Sequence, residues 1–100
     1  MHITATTRWK GGNEKEVVQA GKEARRLLMK HGATAMRLNR YHNTTYMGDW
    51  LVVVQYPDWT TYGKAQDGLS SDTEYQALVA KVTGMAQVME RSILMSYDLE

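Results

Sequence analysis

The residues with the clearest chemical potential lie along and just after the second predicted strand. Arg37, Asn39 and Tyr41 alternate along this strand and so share one face. His42 follows directly. An arginine fork and a tyrosine hydroxyl can bind a carboxylate or a phenolate, and a histidine can act as a general base. Arg37, Tyr41 and His42 are therefore the catalytic candidates. Two alternatives stay open: polar residues protect an exposed edge strand, and His42 is a solvated loop histidine.

Large aromatic side chains form the second candidate group. Because phenylalanine is absent, tryptophan and tyrosine supply all of the aromatic bulk. These rings combine an apolar body with one polar atom, which suits a pocket for a planar aromatic ligand. Trp59 and Tyr62 fall on one turn of a short predicted helix that can act as a lid. With Trp50 they are the predicted ligand-binding residues, and packing in the core or at an interface is the alternative for all three.

Several common site chemistries are excluded by composition and spacing. The chain has no cysteine, so a thiolate nucleophile, a disulfide, a zinc finger and an iron–sulfur cluster are impossible. His2, His31 and His42 lie in different predicted elements, and no pair has the i, i+4 spacing of a metal site. Gly11-Gly12 precedes a helix but lacks the spacing of a phosphate-binding loop. We therefore expect no metal and no cofactor.

Length and composition indicate one globular domain spanning residues 1–100. Hydrophobic residues make up 43% of the chain and charged residues 23%, and the formal net charge is +1. Scattered basic residues give no basis for binding nucleic acid or an anionic membrane. The N-terminus lacks the features of a signal peptide, and the longest aliphatic run, Leu51–Val54, is too short to cross a bilayer. The cytoplasm is therefore the expected location.

Hydrophobic periodicity and capping signals predict the order of the elements. Asn13 with Glu16, and Ser71 with Glu74, have the spacing of helix capping boxes. The predicted elements are a strand over His2–Trp9, a helix from the Asn13 N-cap to about His31, a strand over Ala33–His42, a strand over Tyr46–Tyr56, a short helix over Trp59–Gln66 that Gly68 interrupts, a helix from the Ser71 N-cap to Gly84, and a strand over Gln87–Leu99.

This β-α-β-β-α-β order predicts an α+β, ferredoxin-like fold. Right-handed crossovers give a four-stranded antiparallel sheet in the order 4-1-3-2, with the helices on one face. The strands Tyr46–Tyr56 and Gln87–Leu99 carry apolar residues on both faces, whereas a solvated sheet face is polar. A second copy of the chain packed on the uncovered face is the simplest explanation, so a homodimer is predicted.

The arrangement resembles the dimeric α/β-barrel superfamily. This group includes antibiotic-biosynthesis-type monooxygenases, haem-degrading monooxygenases and many small proteins of unknown role. The resemblance is carried by the segments Tyr56-Pro57-Asp58-Trp59, Tyr62-Gly63-Lys64-Ala65 and Ser71-Asp72-Thr73-Glu74-Tyr75. It implies two four-stranded sheets that face each other across a two-fold axis, and a ligand cavity between each sheet and its own helices.

The resemblance also implies a set of functions. Haem-degrading members carry an iron-ligating helix histidine with a nearby tryptophan, but the matching stretch Ala77–Lys81 has no histidine and Asp67-Gly68-Leu69 has no tryptophan. What the resemblance implies is a cofactor-independent monooxygenase or isomerase acting on a small aromatic or polyketide-like molecule, with Trp59 and Tyr62 as pocket walls. The alternatives are a non-catalytic small-molecule-binding or stress-associated homodimer, and a structural homodimer whose partner is another protein.

Overall fold

The structure, a computed structural model, describes residues 1–100. Its elements are β1 (His2–Lys10), α1 (Glu14–Lys30), β2 (Ala35–Arg40), β3 (Trp50–Tyr56), α2 (Trp59–Ser70), α3 (Thr73–Thr83) and β4 (Gln87–Ser96). None of the helices combines the length and the apolar character needed to cross a membrane.

The four strands form one antiparallel sheet in the order β2-β3-β1-β4. This is the predicted order 4-1-3-2 read from the other edge, so the ferredoxin-like prediction is confirmed. The main core joins Ile3, Val54 and Tyr56 of the sheet to Leu28 of α1 and Leu69 of α2. The helices therefore cover one face of the sheet, which we call the helix face. The other is the open face.

The first helix begins and ends as its sequence predicts. The Asn13 side chain accepts a hydrogen bond from the Glu16 backbone N–H at 2.9 Å, which satisfies one of the free donors of the first turn. Val17 and Leu28 are buried along the face that meets the sheet and the other helices. Gly32 ends the helix with φ +111, a conformation that side chains disfavour.

The third strand begins at Trp50, so the prediction that it starts at Tyr46 is wrong. Residues 43–48 form a turn instead. Gly48 has φ +93 there, and its backbone N–H donates to the Tyr41 carbonyl at 2.8 Å. The backbone N–H of Asp49 donates to the Tyr46 carbonyl at 2.8 Å. These local bonds use the backbone groups that a longer strand would need for pairing.

The two shorter helices depart from prediction at Gly68 and at the following cap. Gly68 does not interrupt α2, which continues to Ser70. The N-cap of α3 is Asp72 and not Ser71, because the Asp72 carboxylate accepts hydrogen bonds from the backbone N–H groups of Glu74 and Tyr75. Asp58 caps α2, because its carboxylate accepts a hydrogen bond from the Thr61 backbone N–H at 2.7 Å.

The last strand ends at Ser96, so its predicted end at Leu99 is wrong. Ser96 pairs with His2, the first residue of β1, and the chain offers no further strand to pair with beyond that point. The side chains of Tyr97 and Leu99 are accordingly exposed. The length of β4 is thus set by its partner and not by its own alternating pattern.

Candidate functional site

A cavity of about 250 Å³ lies between the helices and the helix face of the sheet. Its floor includes Ala5 and Val52 from the two central strands, and its walls include Ala24 of α1 and Val79 of α3. Of the 26 lining residues 21 are hydrophobic, so the middle of the cavity suits the apolar skeleton of a small molecule.

Tyr56 brings a buried hydroxyl to this cavity. The residue is 2% exposed, and its ring meets that of Tyr62 edge-to-face, with centroids 5.3 Å apart and planes at 84°. Burial raises the pKa of Tyr56 to about 12, with smaller upward effects from Tyr75 and Tyr62, while the Gln66 side chain opposes the change. Tyr56 is therefore protonated at neutral pH, where it can donate a hydrogen bond but cannot act as a base.

Tyr75 and Arg91 add a second polar pair to the lining. Burial raises the pKa of Tyr75, and the positive charge of Arg91 partly offsets that rise. Arg91 is the only charged side chain among the lining residues, which include no aspartate, glutamate, histidine or lysine. The cavity can therefore stabilise an anion, but it offers no carboxylate or imidazole as a general base.

Trp50 supplies an unsatisfied donor on the same lining. The residue is 5% exposed, and its indole Nε1 is buried without a hydrogen-bond partner. The Arg40 guanidinium lies over the indole ring, 4.5 Å from its centroid. Buried indole N–H groups usually find an acceptor, and this one has none within the protein.

The predicted ligand-binding residues divide into two inside the cavity and one outside. Trp50 and Tyr62 both line it. Trp59 does not, since it is 48% exposed at the start of α2. Its ring packs edge-to-face against Tyr62 at 5.9 Å and 87°, so it supports a residue of the wall from outside. The binding roles of the three residues stay predictions.

The predicted catalytic residues do not line the cavity. Arg37 is exposed and pairs with Val53 on the open face of the sheet. Tyr41 follows β2 and packs edge-to-face against Tyr46 at 5.5 Å, and His42 is exposed in the loop that follows. The structure does not bring these three to the groups described above, and their catalytic role stays a prediction.

A second polar cluster lies at the end of β1. Arg8 Nη1 donates to Asp49 Oδ2 at 2.8 Å, and the two side chains are only 12% and 11% exposed. The Tyr46 ring stacks on the Arg8 guanidinium at 3.8 Å. Because Asp49 already neutralises Arg8, the cluster holds the turn of residues 43–48 against the sheet and leaves no free charge for a ligand. No group of three or more histidine, aspartate or glutamate side chains is placed to hold a metal ion.

Comparison with known proteins gives the fold. No protein-family model and no curated protein matches the sequence. SnoaB from Streptomyces nogalater, a cofactor-independent oxygenase, is 10% identical with a TM-score of 0.77, covering 98% of this chain and 95% of its own. A NIPSNAP domain protein from Burkholderia xenovorans is 14% identical with a TM-score of 0.75, covering 97% and 95%. A dimeric ferredoxin-like protein from an uncultured marine organism is 12% identical with a TM-score of 0.71, covering 97% and 98%.

The chain has the ferredoxin-like fold that these structures share. Identities this low show the fold alone. The ferredoxin-like fold explains the position of the cavity. The helices pack on one face of the sheet, and a gap is left between them and the central strands.

Three lining residues escaped prediction as site residues. Tyr56 and Tyr75 enter the sequence analysis only in the segments that carry the family resemblance, and Arg91 carries no prediction. A signal for Arg91 exists, since it shares the helix face with Ile93 on an otherwise apolar side of β4.

Proposed function

We propose that this chain binds a small, planar, largely apolar molecule in the cavity and oxygenates it without a cofactor. The observation that carries the proposal is the composition of the lining, an apolar enclosure whose only charged side chain is Arg91. The volume of about 250 Å³ lies just below the usual range for small-molecule sites, about 300–1,000 Å³, so only a small ligand fits. A bicyclic aromatic skeleton is the ligand class that such a site favours.

Cofactor-independent oxygenation fits the polar groups because it needs anion stabilisation above all. A methylene group next to a phenol or a ketone loses a proton, and the resulting carbanion gives its electrons to dioxygen. The hydroperoxide that forms then loses water, so that one oxygen atom stays on the substrate as a carbonyl and the other leaves as water. Arg91 would stabilise the anion, and the protonated hydroxyls of Tyr56 and Tyr75 would donate hydrogen bonds to it.

The likeness to SnoaB supports this reaction class, because SnoaB is a cofactor-independent oxygenase with the same fold. The absence of a base among the lining residues supports a second candidate, a binding protein without turnover. In that case the same cavity would hold the same class of ligand, and no proton would be removed from it.

Labelled dioxygen separates the two candidates. The protein is incubated with β-tetralone and with a set of bicyclic phenols that carry an activated methylene, and the products are analysed by mass spectrometry. Oxygenation predicts one labelled oxygen atom per product molecule and a lower rate in Arg91→Met, while Lys81→Met, which changes an exposed charge outside the cavity, keeps the rate. Binding without incorporation supports the second candidate, and no binding contradicts both.

A homodimer formed through the open face is the second part of the proposal. Leu94 of β4 is 50% exposed there, and Leu51 and Val53 of β3 are half-buried on the same face, with β1 between the two strands. These apolar side chains lie on a sheet face that no helix covers. Native mass spectrometry at low micromolar concentration should find a dimer for the wild type and for Met47→Glu, which places a charge on an exposed turn, and a monomer for Val53→Glu. A monomeric wild type would contradict the interface.

A further inference from the structure

The two edge strands of the sheet, β2 and β4, carry opposite charges on the open face. Alternation along β2 places Arg37 on this face, next to Val53 of β3. In β4, Arg91 lines the cavity, so its neighbour Glu90 lies on the opposite, open face. Both Arg37 and Glu90 are exposed, and neither makes an ion pair within the chain. The open face therefore has a free cation at one edge and a free anion at the other.

A single chain does not pair these two charges. Arg8 of β1 lies directly across from Glu90 in the sheet. The Arg8 guanidinium, however, is bound to Asp49 at 2.8 Å and is covered by the Tyr46 ring. Arg37 is separated from Glu90 by the two central strands, so about 14 Å lies between the strands that carry them. That distance is too great for a direct ion pair, so each charge is free to bind a partner from outside the chain.

The surface between these two charges is apolar, and it continues around the edge of β4. Leu51 and Val53 of β3 are half-buried on the open face, and Leu94 of β4 is 50% exposed there. On the other side of β4, Ile93 and Met95 are 46% and 52% exposed. A strand at the edge of a sheet that is apolar on both sides is a site where another chain binds. A second copy of this chain therefore has to cover β4 as well as the middle of the open face.

The charges distinguish between the two ways in which a two-fold axis can bring the open faces together. An axis across the strands places each edge strand opposite its own copy, so that arginine meets arginine and glutamate meets glutamate. An axis along the strands places β2 of each protomer opposite β4 of its partner. Arg37 is level with Val53 and Glu90 is level with Leu51, so the two charges lie two residues apart along the strands. Across facing sheets about 10 Å apart, their side chains can reach each other.

We propose that Arg37 of each protomer pairs with Glu90 of its partner across the open faces, and that these two equivalent ion pairs fix the orientation of the homodimer. This inference rests on the proposed function, since it assumes that the open face is the dimer interface. It adds the arrangement of the two sheets, in which β2 of one protomer lies opposite β4 of the other. The same arrangement covers the apolar edge of β4.

Charge reversal at each position tests the inference on the full chain. Arg37→Glu places two negative charges at each contact, and Glu90→Arg places two positive charges there. Each variant alone should therefore have a dimer dissociation constant at least about tenfold higher than the wild type. A mixed dimer of one Arg37→Glu chain and one Glu90→Arg chain has opposite charges at both contacts again. Native mass spectrometry of an equimolar mixture should show this dimer, with a mass between those of the two homodimers, at concentrations where each variant alone is monomeric.

Arg25→Glu is the matched control, because it makes the same charge reversal at an exposed position of α1, away from the open face. It should keep the dissociation constant of the wild type. Formation of the mixed dimer also shows that both reversed chains are folded. If charge reversal unfolds either chain, Arg37→Gln and Glu90→Gln apply the same test, since the double variant should dimerise no more weakly than either single variant.

The outcomes separate the ion pair from the interface itself. A dimeric wild type whose reversed variants also stay dimeric, or whose folded variants form no mixed dimer, would overturn the pairing of Arg37 with Glu90 and leave the open face as the interface. Additive effects of the two glutamine substitutions would overturn the pairing in the same way. A monomeric wild type would overturn the proposed interface as well.

Discussion

His31 Nε2 lies 2.7 Å from Asp72 Oδ2, although the two residues are 41 positions apart. The contact ties the C-terminal end of α1 to the N-cap of α3, and Lys30 adds a second, longer contact of 3.4 Å to the same oxygen. Since Asp72 also receives the backbone N–H of Tyr75, the first turn of α3 is held from two sides. The position of a cavity wall therefore depends on this pair.

The first prediction concerns stability in acid. The hydrogen bond from His31 lowers the pKa of Asp72 from 3.8 to about 2, with further lowering by the Tyr75 backbone N–H and by Lys30. The ionised carboxylate therefore stabilises the fold above about pH 4, and this contribution is lost as the pH falls through about 2. Urea unfolding should show a shallower loss of stability between those values in Asp72→Asn than in the wild type.

Asp67→Asn is the control for this measurement, because Asp67 is exposed on α2 and caps no helix. It should keep the acid dependence of the wild type. If Asp72→Asn and the wild type lost stability in parallel through this range, the His31 contact would not favour the ionised carboxylate.

The second prediction uses two glycines of one helix. A Cβ at Gly68 would lie 2.4 Å from His31 Nδ1, whereas a Cβ at Gly63 would meet nothing within 4 Å. We expect Gly68→Ala to destabilise the fold by about 1–3 kcal/mol through overpacking. Gly63→Ala should stabilise it by about 0.5–1 kcal/mol, because alanine is the better helix former. Equal effects of the two substitutions in chemical denaturation would show that His31 does not pack on Gly68.

The third prediction concerns stability in base. Burial raises the pKa of Tyr56 from 10.0 to about 12, so the unfolded chain loses this proton before the folded one does. The protonated Tyr56 hydroxyl therefore contributes fully to the stability of the fold below about pH 10, and this contribution is lost as the pH rises through about 12. Tyr56→Phe should flatten the fall in stability over this range, and Tyr97→Phe, at an exposed position, should not. A steep fall retained in Tyr56→Phe would contradict the burial of this hydroxyl.

The fourth prediction concerns the contact between α1 and α3. Leu78 is 6% exposed and packs with Ala20 and Leu27 of α1. Leu78→Ala should lose about 2–5 kcal/mol, and Leu78→Asp should unfold the chain because it buries a charge without a partner. Ala77→Asp, one residue earlier on an exposed position, is the matched control and should keep a native circular dichroism spectrum. A native spectrum for Leu78→Asp would contradict the packing of α3.

Local signals explain which parts of the fold could be predicted. Asn13 and Asp58 cap their helices through residues only three positions away, so the sequence alone identifies both caps. At α3 the sequence predicts Ser71 as the cap, but the cap is the next residue, Asp72, which also contacts His31, 41 positions away. The end of β4 depends on where β1 begins.

The candidate site was less predictable because its members come from separate elements. Trp50 and Tyr62 could be identified by residue type, and both line the cavity. Arg91 joins them through its pairing with Thr7 of β1, on the same sheet face as Ile93. Its alternation with Ile93 along β4 is a local signal, but the sequence does not show that this face meets Trp50 and Tyr62.

Binding of α-naphthol, measured by isothermal titration calorimetry, tests most directly whether the cavity is the ligand site. Val52 lies in the cavity floor, so Val52→Phe fills the space that the ligand needs, while Val18→Phe makes the same change at an exposed position of α1. We predict one bound molecule per chain for the wild type and for Val18→Phe, and binding weakened at least about tenfold in Val52→Phe. Unchanged binding by Val52→Phe, or no binding by the wild type, would contradict the assignment of the cavity.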